Sequence, residues 1–423
     1  MNVAMIPTRC RILLLFLAVW TSPLFAGEGS IYSRYGVGDI VTFTSTRTVG
    51  MGGTGIAMIT DGYVNGTNPA ALGILSRVQY SADYQYQGYK MNDGTGSNFL
   101  TTGTVQSALL ALPVYTPYGV TIGVGLLPFS QTAYDVKEND TEAGQNITQI
   151  FDGVGGLSSA QVSLSVSPET DLYLGGTFHY IFGNADYRQR LEYPDAGYFT
   201  TDEDRIVSLE GFGGTVGAAF TGFGKLFGLS KEKKLALGAT FFTGTKMDAK
   251  EELIENFVTS AETTSVAYGN AKIPMSIALG LMFQANEKLL FACDARFQSW
   301  NDYTYFGVHP SEIRNSSRYG IGLEYAPRAT LGESFFRQVQ YRAGAYTEAT
   351  YLMLDGEQIK DYFVTGGVGL PLYFGQDSEG RLNLGLEYGV RGTTSNGLEL
   401  DHIIRFTISV SGSDTWFTPT EIN

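Results

Sequence analysis

The chain has 423 residues with 42 acidic against 28 basic side chains, a formal charge of −14, so it lacks the basic footprint a nucleic-acid partner would need. Glycine (53), tyrosine (26) and phenylalanine (26) are abundant, while three scattered histidines without a spacing pattern do not make a metal site. Solvation of loops and turns is the plain reading of the acidic excess.

At the N-terminus Arg9 and Arg11 precede an apolar run from Ile12 to Trp20, and Pro23-Leu24-Phe25-Ala26 ends on a small residue before Gly27. This is the layout of a secretory signal peptide, residues 1–26, cleaved near Ala26. The run falls short of the roughly 20 residues a spanning helix needs. Cys10 precedes the apolar core and is badly placed for lipid attachment after cleavage. These 26 residues hold two arginines and no acid, so cleavage takes the charge from −14 to −16. The remaining cysteine, Cys293, has no partner for an internal disulfide. No later stretch is long and apolar enough for a transmembrane helix. Any membrane crossing must then use strands, because only helices and closed barrels satisfy their backbone groups in lipid.

Residues 27–77 are glycine-rich, carry Arg34, Asp39, Arg47, Asp61 and Arg77, and show no sustained alternation. From residue 78 the hydrophobic period is two, as in strands with unlike faces. Leu382, Leu384, Leu386, Tyr388 and Val390, for example, alternate with Arg381, Asn383, Gly385, Glu387 and Gly389. The pattern predicts strands at about 78–91, 105–116, 118–137, 146–167, 171–192, 204–223, 234–253, 266–285, 287–306, 314–326, 338–352, 359–374, 381–395 and 400–412. Soluble strands average about half these lengths, whereas a tilted membrane strand needs about 9–11 residues within lipid. Tight connections (Thr116-Pro117-Tyr118-Gly119, Pro168-Glu169-Thr170-Asp171, Asn286-Glu287-Lys288) alternate with longer polar ones (91–104, 193–203, 253–265, 307–313). Short periplasmic turns facing longer external loops are the rule for outer-membrane barrels. Rings near strand ends, such as Tyr84, Tyr115, Trp300 and Trp416, suit the headgroup level. The expectation is an all-β fold: a transmembrane antiparallel β-barrel of about 14 strands over residues 78–423. Residues 27–77 would fold into its lumen as a hatch, because a barrel of that width encloses more space than its own side chains fill.

The stretch Arg47 to Leu72, RTVGMGGTGIAMITDGYVNGTNPAAL, resembles the N-terminal hatch of the FadL/TodX family. Gly52, Gly53, Thr54, Gly55 and Ala57 match its glycine-rich run, and Asn68, Pro69 and Ala70 match its Asn-Pro-Ala triplet. GLLPFS, from Gly125 to Ser130, resembles the proline-interrupted third strand of the family. Tyr63-Val64-Asn65-Gly66 replaces the usual acidic or serine spacer, and Thr418 to Asn423 follow Trp416-Phe417 where members often end on an aromatic residue. The resemblance implies a fourteen-stranded barrel plugged by its hatch. It also implies uptake of fatty acids or aromatic hydrocarbons, with exit sideways through a gap in the wall. Physically, Pro128 has no N–H for a ladder and Gly123 and Gly125 permit a kink. With Phe129 they form the candidate lateral exit.

The inward register of the later strands carries charge: Asp294, Arg296, Arg318, Glu324, Arg342 and Glu348, then Arg381, Glu387, Arg391 and Arg405. In strands three to five it is small or neutral: Thr121, Gly123, Gly125, Ser163, Ser165, Gly175, Thr177. Charges in a lumen must be paired or hydrated, and the hatch offers partners. The hatch is therefore expected to dock on the charged half and leave the greasier half near Pro128 as a passage. An ordinary water-filled charged lumen is the even alternative.

Sharper chemistry is weaker. Gly50 to Gly55 fits a G-x-G-x-x-G fingerprint but lacks the strand–turn–helix context, so turns of a hatch are the better reading. His309-Pro310-Ser311 and Asp202-Glu203-Asp204 fall in expected external loops and read as solvated. Alternation puts His179 in the lumen and His402 on the lipid face. No catalytic residue, metal or cofactor is assigned. The expected function is passive outer-membrane uptake of small hydrophobic molecules, long-chain fatty acids or hydrocarbons, with lateral exit. The alternatives are a structural or shuttle component of a protein-secretion machine, and a general porin. Expected partners are outer-membrane lipids, lipopolysaccharide and hydrophobic cargo, or secretion-machine components under the alternative, with no nucleic acid.

Overall fold

The computed structural model describes residues 29–42, 45–92, 97–142, 145–193, 200–230, 232–257, 260–327, 334–373 and 379–414. The expected signal peptide and the residues after 414, Trp416 included, lie outside them. A two-residue strand, β1 (Asp39–Ile40), and one helical turn, α1 (Thr46–Val49), belong to the N-terminal segment. The wall then runs β2 (Val78–Asn92), β3 (Ser97–Tyr115), β4 (Val120–Glu142), β5 (Gln145–Glu169), β6 (Leu172–Glu192), β7 (Thr201–Phe220) and β8 (Lys234–Phe257). It continues through β9 (Ser260–Ile273), β10 (Ser276–Gln284), β11 (Leu289–Gln298), β12 (Thr304–Tyr305), β13 (Ser316–Tyr325), β14 (Gln340–Leu354), β15 (Glu357–Tyr373), β16 (Glu379–Gly392) and β17 (Leu400–Asp414). Neighbours pair antiparallel, and β17 pairs with β2 from Leu400↔Asn92 to Asp414↔Val78, which closes the sheet. With β9–β10 and β11–β12 each forming one stave, this is a closed barrel of 14 strands.

The period of two decides which face meets what. On β17, Ile404, Phe406, Ile408 and Val410 are exposed, while Thr407 and Ser409 between them are buried. A soluble sheet hides its apolar face. Here the apolar set is outside and the polar set inside, as a barrel in lipid requires. The same outward belt continues in Val162 and Leu164, Leu279 and Leu281, and Val364 and Leu386. A one-residue slip would put every such ring or branched chain into the lumen.

The connections differ from expectation at the far end, where β2 ends. The strands run on: 91–92 and 97–104, expected in one loop, lie in β2 and β3, and 253–257 and 260–265, expected in another, lie in β8 and β9. Asp202 and Asp204, expected in an external loop, lie on β7 beside Arg190 and Arg188, at 3.3 and 2.8 Å. Two expected strands are interrupted. The first breaks at Pro274, which lacks a ladder donor, between β9 and β10. The second breaks at a 3-10 turn, Trp300–Asp302, that turns Trp300 inward.

Candidate functional site: the wall seam and the lumen

The N-terminal segment touches inward-facing residues all round the wall. At the far end Ser30 Oγ donates to Asp401 Oδ2 (2.5 Å), the Tyr32 hydroxyl donates to the Glu399 carbonyl, and Ser33 Oγ donates to the Ala133 carbonyl (2.8 Å). Burial pushes the Tyr32 hydroxyl above its ordinary pKa. Lower down, Ser45 caps α1 by accepting from Thr48 N (3.2 Å), and the Thr46 N–H and hydroxyl both donate to Asp83, at 2.8 and 2.6 Å. Arg47 forks onto Glu324 at 2.6 and 2.9 Å, and Glu324 also receives Arg342 at 2.8 Å. Two cations thus share one buried carboxylate, an arrangement whose geometry must be good to offset desolvation.

The glycine-rich run is held by backbone rather than side chains. Gly52 (φ +66°) and Gly53 (φ +75°) are left-handed, and a Cβ at Gly52 would meet the Ala345 and Ile321 carbonyls. The next donors, Gly55 N–H and Ile56 N–H, both point at Asp294 Oδ2, at 2.6 and 2.9 Å. Asn68 accepts from Ala70 N–H (3.0 Å) and donates to the carbonyls of Ile56 (2.7 Å) and Ala218 (3.3 Å), starting the 3-10 turn Pro69–Ile74. That turn lies on the neutral half. A Cβ on Gly175 would strike the Pro69 backbone, one on Gly217 would strike Asn68 and Pro69, and one on Gly123 would strike Leu72. The expected clear passage along the neutral half is filled at this level, because glycine lets a second backbone come close.

The six charges expected to dock the hatch separate. Glu324 and Asp294 bind it directly. Arg318 donates to Thr42 (2.8 Å) and Glu348 (3.0 Å), with its guanidinium over the Tyr346 ring. Arg342 reaches the segment through Glu324 and lies with its Cβ beside Gly50, and Glu348 reaches it through Arg318. Arg296 makes no ion pair among the described residues; it lines a small cavity with Thr42, Gly52 and Asp294. Asp39 joins Arg391 (2.5 Å), which also holds Asp361 (2.8 Å), a cluster with one member on the segment and two on the wall. Asp361 is not among the expected inward charges, although the period of two along 359–374 puts it on the face opposite exposed Tyr362 and Val364. What parity lacks is the partner.

The wall has a seam. The β3–β4 ladder runs from Tyr115↔Val120 to Ala108↔Leu126 and ends there, although both strands continue. Pro128 faces Ser158 of β5, Phe129 is bulged out of that ladder, and pairing resumes at Ser130↔Leu157. Beyond the bulge the free edge of β4 takes β1: Ile40 pairs with Ser130, Asp39 with Gln131, and Val41 N–H donates to the Phe129 carbonyl (3.0 Å). Gly125 sits before it, covered by Leu109 and Gln161. Behind the seam lies a cavity of about 100 Å³, open to solvent on one side, lined among others by Gln106 of β3 and Gln131 of β4.

Towards the far end the lumen is packed. Tyr32 and Val37 join Trp300, Tyr303, Ile313, Tyr351 and Leu398 in one apolar cluster, with Trp300 stacked on Tyr351 at 4.5 Å. His179 faces inward, 3.2 Å from Ser159 Oγ and 2.8 Å from Thr215 Oγ1. His309 meets the Tyr303 carbonyl, and His402 the Tyr388 hydroxyl.

The fold is that of the FadL/TodX channels. A FadL homologue from Pseudomonas aeruginosa superposes with a TM-score of 0.58 at 14% identity, covering 89% of this chain and 99% of its own. The toluene transporter TodX of Pseudomonas putida gives 0.55 at 16%, covering 89% and 99%. The monoaromatic hydrocarbon channel CymD gives 0.55 at 14%, covering 88% and 97%. At these identities the likeness is one of fold. No curated protein matches in sequence. The family model named BamG matches residues 5–423, nearly the whole length. The chain belongs to the BamG family.

Proposed function

We propose that this chain is an outer-membrane conduit for small hydrophobic molecules, with the β3–β4 seam as the way from lumen to lipid. One observation carries the reading: the ladder stops at Ala108↔Leu126 inside the apolar belt, between exposed Leu126 and Tyr84, with a cavity directly behind it. An unpaired edge in hydrocarbon is costly, so a wall that keeps one has a use for it. Structures of the same fold are named as toluene and monoaromatic hydrocarbon channels, which supports the cargo class. Residues 29–77 act as the hatch, and β1 on the edge of β4 narrows the seam. Outer-membrane lipid is then both surroundings and acceptor, and no side chain has a catalytic part.

The test is accumulation of labelled toluene and dodecane by cells with and without the gene. Lower accumulation in the deletion, restored by the full chain, is expected, and equal accumulation would overturn the reading. A second reading, a structural component of a protein-secretion machine, is favoured by the apolar packing of the far end around Tyr32, Trp300 and Tyr351. Loss of other outer-membrane or secreted proteins in the same deletion, with uptake unchanged, would put it first.

A further inference from the structure

On the outside of the wall two lysines face each other. Lys246 of β8 and Lys272 of β9 are register partners, and both are exposed. Their chain neighbours Met247, Ala271 and Ile273 are buried and point inward, so the lysines point to the lipid side. Like charges directly opposite each other in a ladder are destabilising. Nearby cations each answer to an acid: Arg188 meets Asp204 at 2.8 Å, Arg190 meets Asp202 at 3.3 Å and Lys250 meets Glu252 at 2.8 Å. Among the described residues Lys246 and Lys272 make no ion pair.

Their height on the wall selects a partner. The row runs Tyr180↔Phe212↔Lys246↔Lys272 across β6 to β9, with the Tyr180 and Phe212 rings 5.1 Å apart. Toward the turn end the outward face is apolar, with Val216, Phe241, Met275 and Ile277 exposed. The next row toward the far end is acidic, Glu210↔Asp248, with Glu210 accepting from the Tyr180 hydroxyl (2.7 Å). The two ammonium groups therefore lie where the lipid belt meets polar surface, and a lysine stem can cover apolar wall while its head sits at headgroup level. Short turns belong to the periplasmic side, so this line is in the outer leaflet. We propose that Lys246 and Lys272 hold the phosphate of a phosphorylated glycolipid of that leaflet, whose acyl chains lie over Phe241, Met275 and Ile277. A phosphomonoester carries about −1.5 to −2 at neutral pH, which two ammonium groups match, whereas a phosphodiester brings less. The acids beyond repel an anion placed higher and confine it to the lysine row.

Native mass spectrometry of the protein purified from outer membranes, titrated with monophosphoryl lipid A, the same lipid without its phosphate, and phosphatidylglycerol, tests this. Monophosphoryl lipid A should bind about tenfold more tightly than its dephosphorylated form, the difference expected for charge-assisted contacts to one phosphate. The double variant Lys246→Gln, Lys272→Gln should lose about that tenfold and leave the dephosphorylated lipid unchanged. Lys250→Gln removes the same charge from a lysine already bonded to Glu252 and should bind monophosphoryl lipid A like the unsubstituted chain. Heat-modifiable migration shows that each variant is folded. Equal binding of the two lipid A forms, a double variant that binds like the unsubstituted chain, or an equal loss in Lys250→Gln would overturn the proposal. Phosphatidylglycerol binding as tightly as monophosphoryl lipid A would overturn the choice of a phosphomonoester. None of these results bears on the conduit reading, which stands on the seam.

Discussion

Two sectors of the wall hold the same N-terminal segment by opposite means. From β11 through β17 and on to β2, the wall grips it with charge: Asp294 on two backbone N–H groups, Glu324 on Arg47, Arg391 on Asp39, Asp83 on Thr46. Where β4 to β7 meet the Pro69–Ile74 turn, the wall instead removes side chains, so that Gly123, Gly175 and Gly217 receive Leu72, Pro69 and Asn68 at contact distance. The first device is specific in geometry and fails when one partner goes. The second is specific in volume and fails when an atom is added. The contrast also explains why the cavity and the seam sit where they do: they occupy the boundary between the two sectors, where β2 and β3 supply glutamines rather than charge or glycine.

Breaking the charged grip should have the largest effect. Glu324→Leu leaves Arg47 and Arg342 buried without their shared carboxylate, and about 3–5 kcal/mol of hatch docking should be lost. Hydrogen exchange over residues 45–60 would show it, and protection equal to that of the unsubstituted chain would mean the pair does not dock the segment. Asp294→Ala strips the acceptor from the Gly55 and Ile56 N–H groups, and about 1.5–3 kcal/mol is expected by the same measurement. On the neutral side, Gly217→Val adds atoms where Asn68 and Pro69 already lie, so roughly 1–3 kcal/mol should be lost, with exchange rising first at 68–74. If Gly217→Val is silent while Asp294→Ala is not, close packing does not hold this half. The smallest effect belongs to an exposed pair. Lys225, 72% exposed, meets Asp171 at the turn end, and Lys225→Ala should cost only about 0–1 kcal/mol.

The seam sharpens the comparison in a different way. Pro128→Val gives β4 a donor between the last β3–β4 pair and the bulge. Because β1 already occupies the edge from Phe129 onward, this can lengthen the ladder only slightly. Uptake of labelled dodecane should therefore fall in part, with heat-modifiable folding unchanged. Uptake at the unsubstituted rate would place the route elsewhere.

Much of this is legible in the sequence. Alternation from residue 78 onward determined the strands, their outward belt and their polar interior, because a period of two leaves a residue no third face to choose. Even the inward charges of β11 to β17 can be read off by parity, Asp361 and Arg391 among them. The Asn-Pro-Ala turn and the left-handed glycines are legible for a local reason: Asn68 hydrogen-bonds two residues on, and φ above zero favours glycine.

What the tertiary structure alone decided were pairings over long separations. That Arg47 rather than Arg34 would find Glu324, and that Gly217 would make room for Asn68, depends on where residues 29–77 lie in the lumen; no local periodicity records that. The end of the β3–β4 ladder is likewise a relation between two strands. The glutamine pairs Gln106–Gln85 and Gln87–Gln131 were hidden for the same reason, since their members lie on different strands and read singly as ordinary inward polar residues. Sequence determined which face each residue shows, because that is set by neighbours in the chain. Closure of the barrel decided what each face meets.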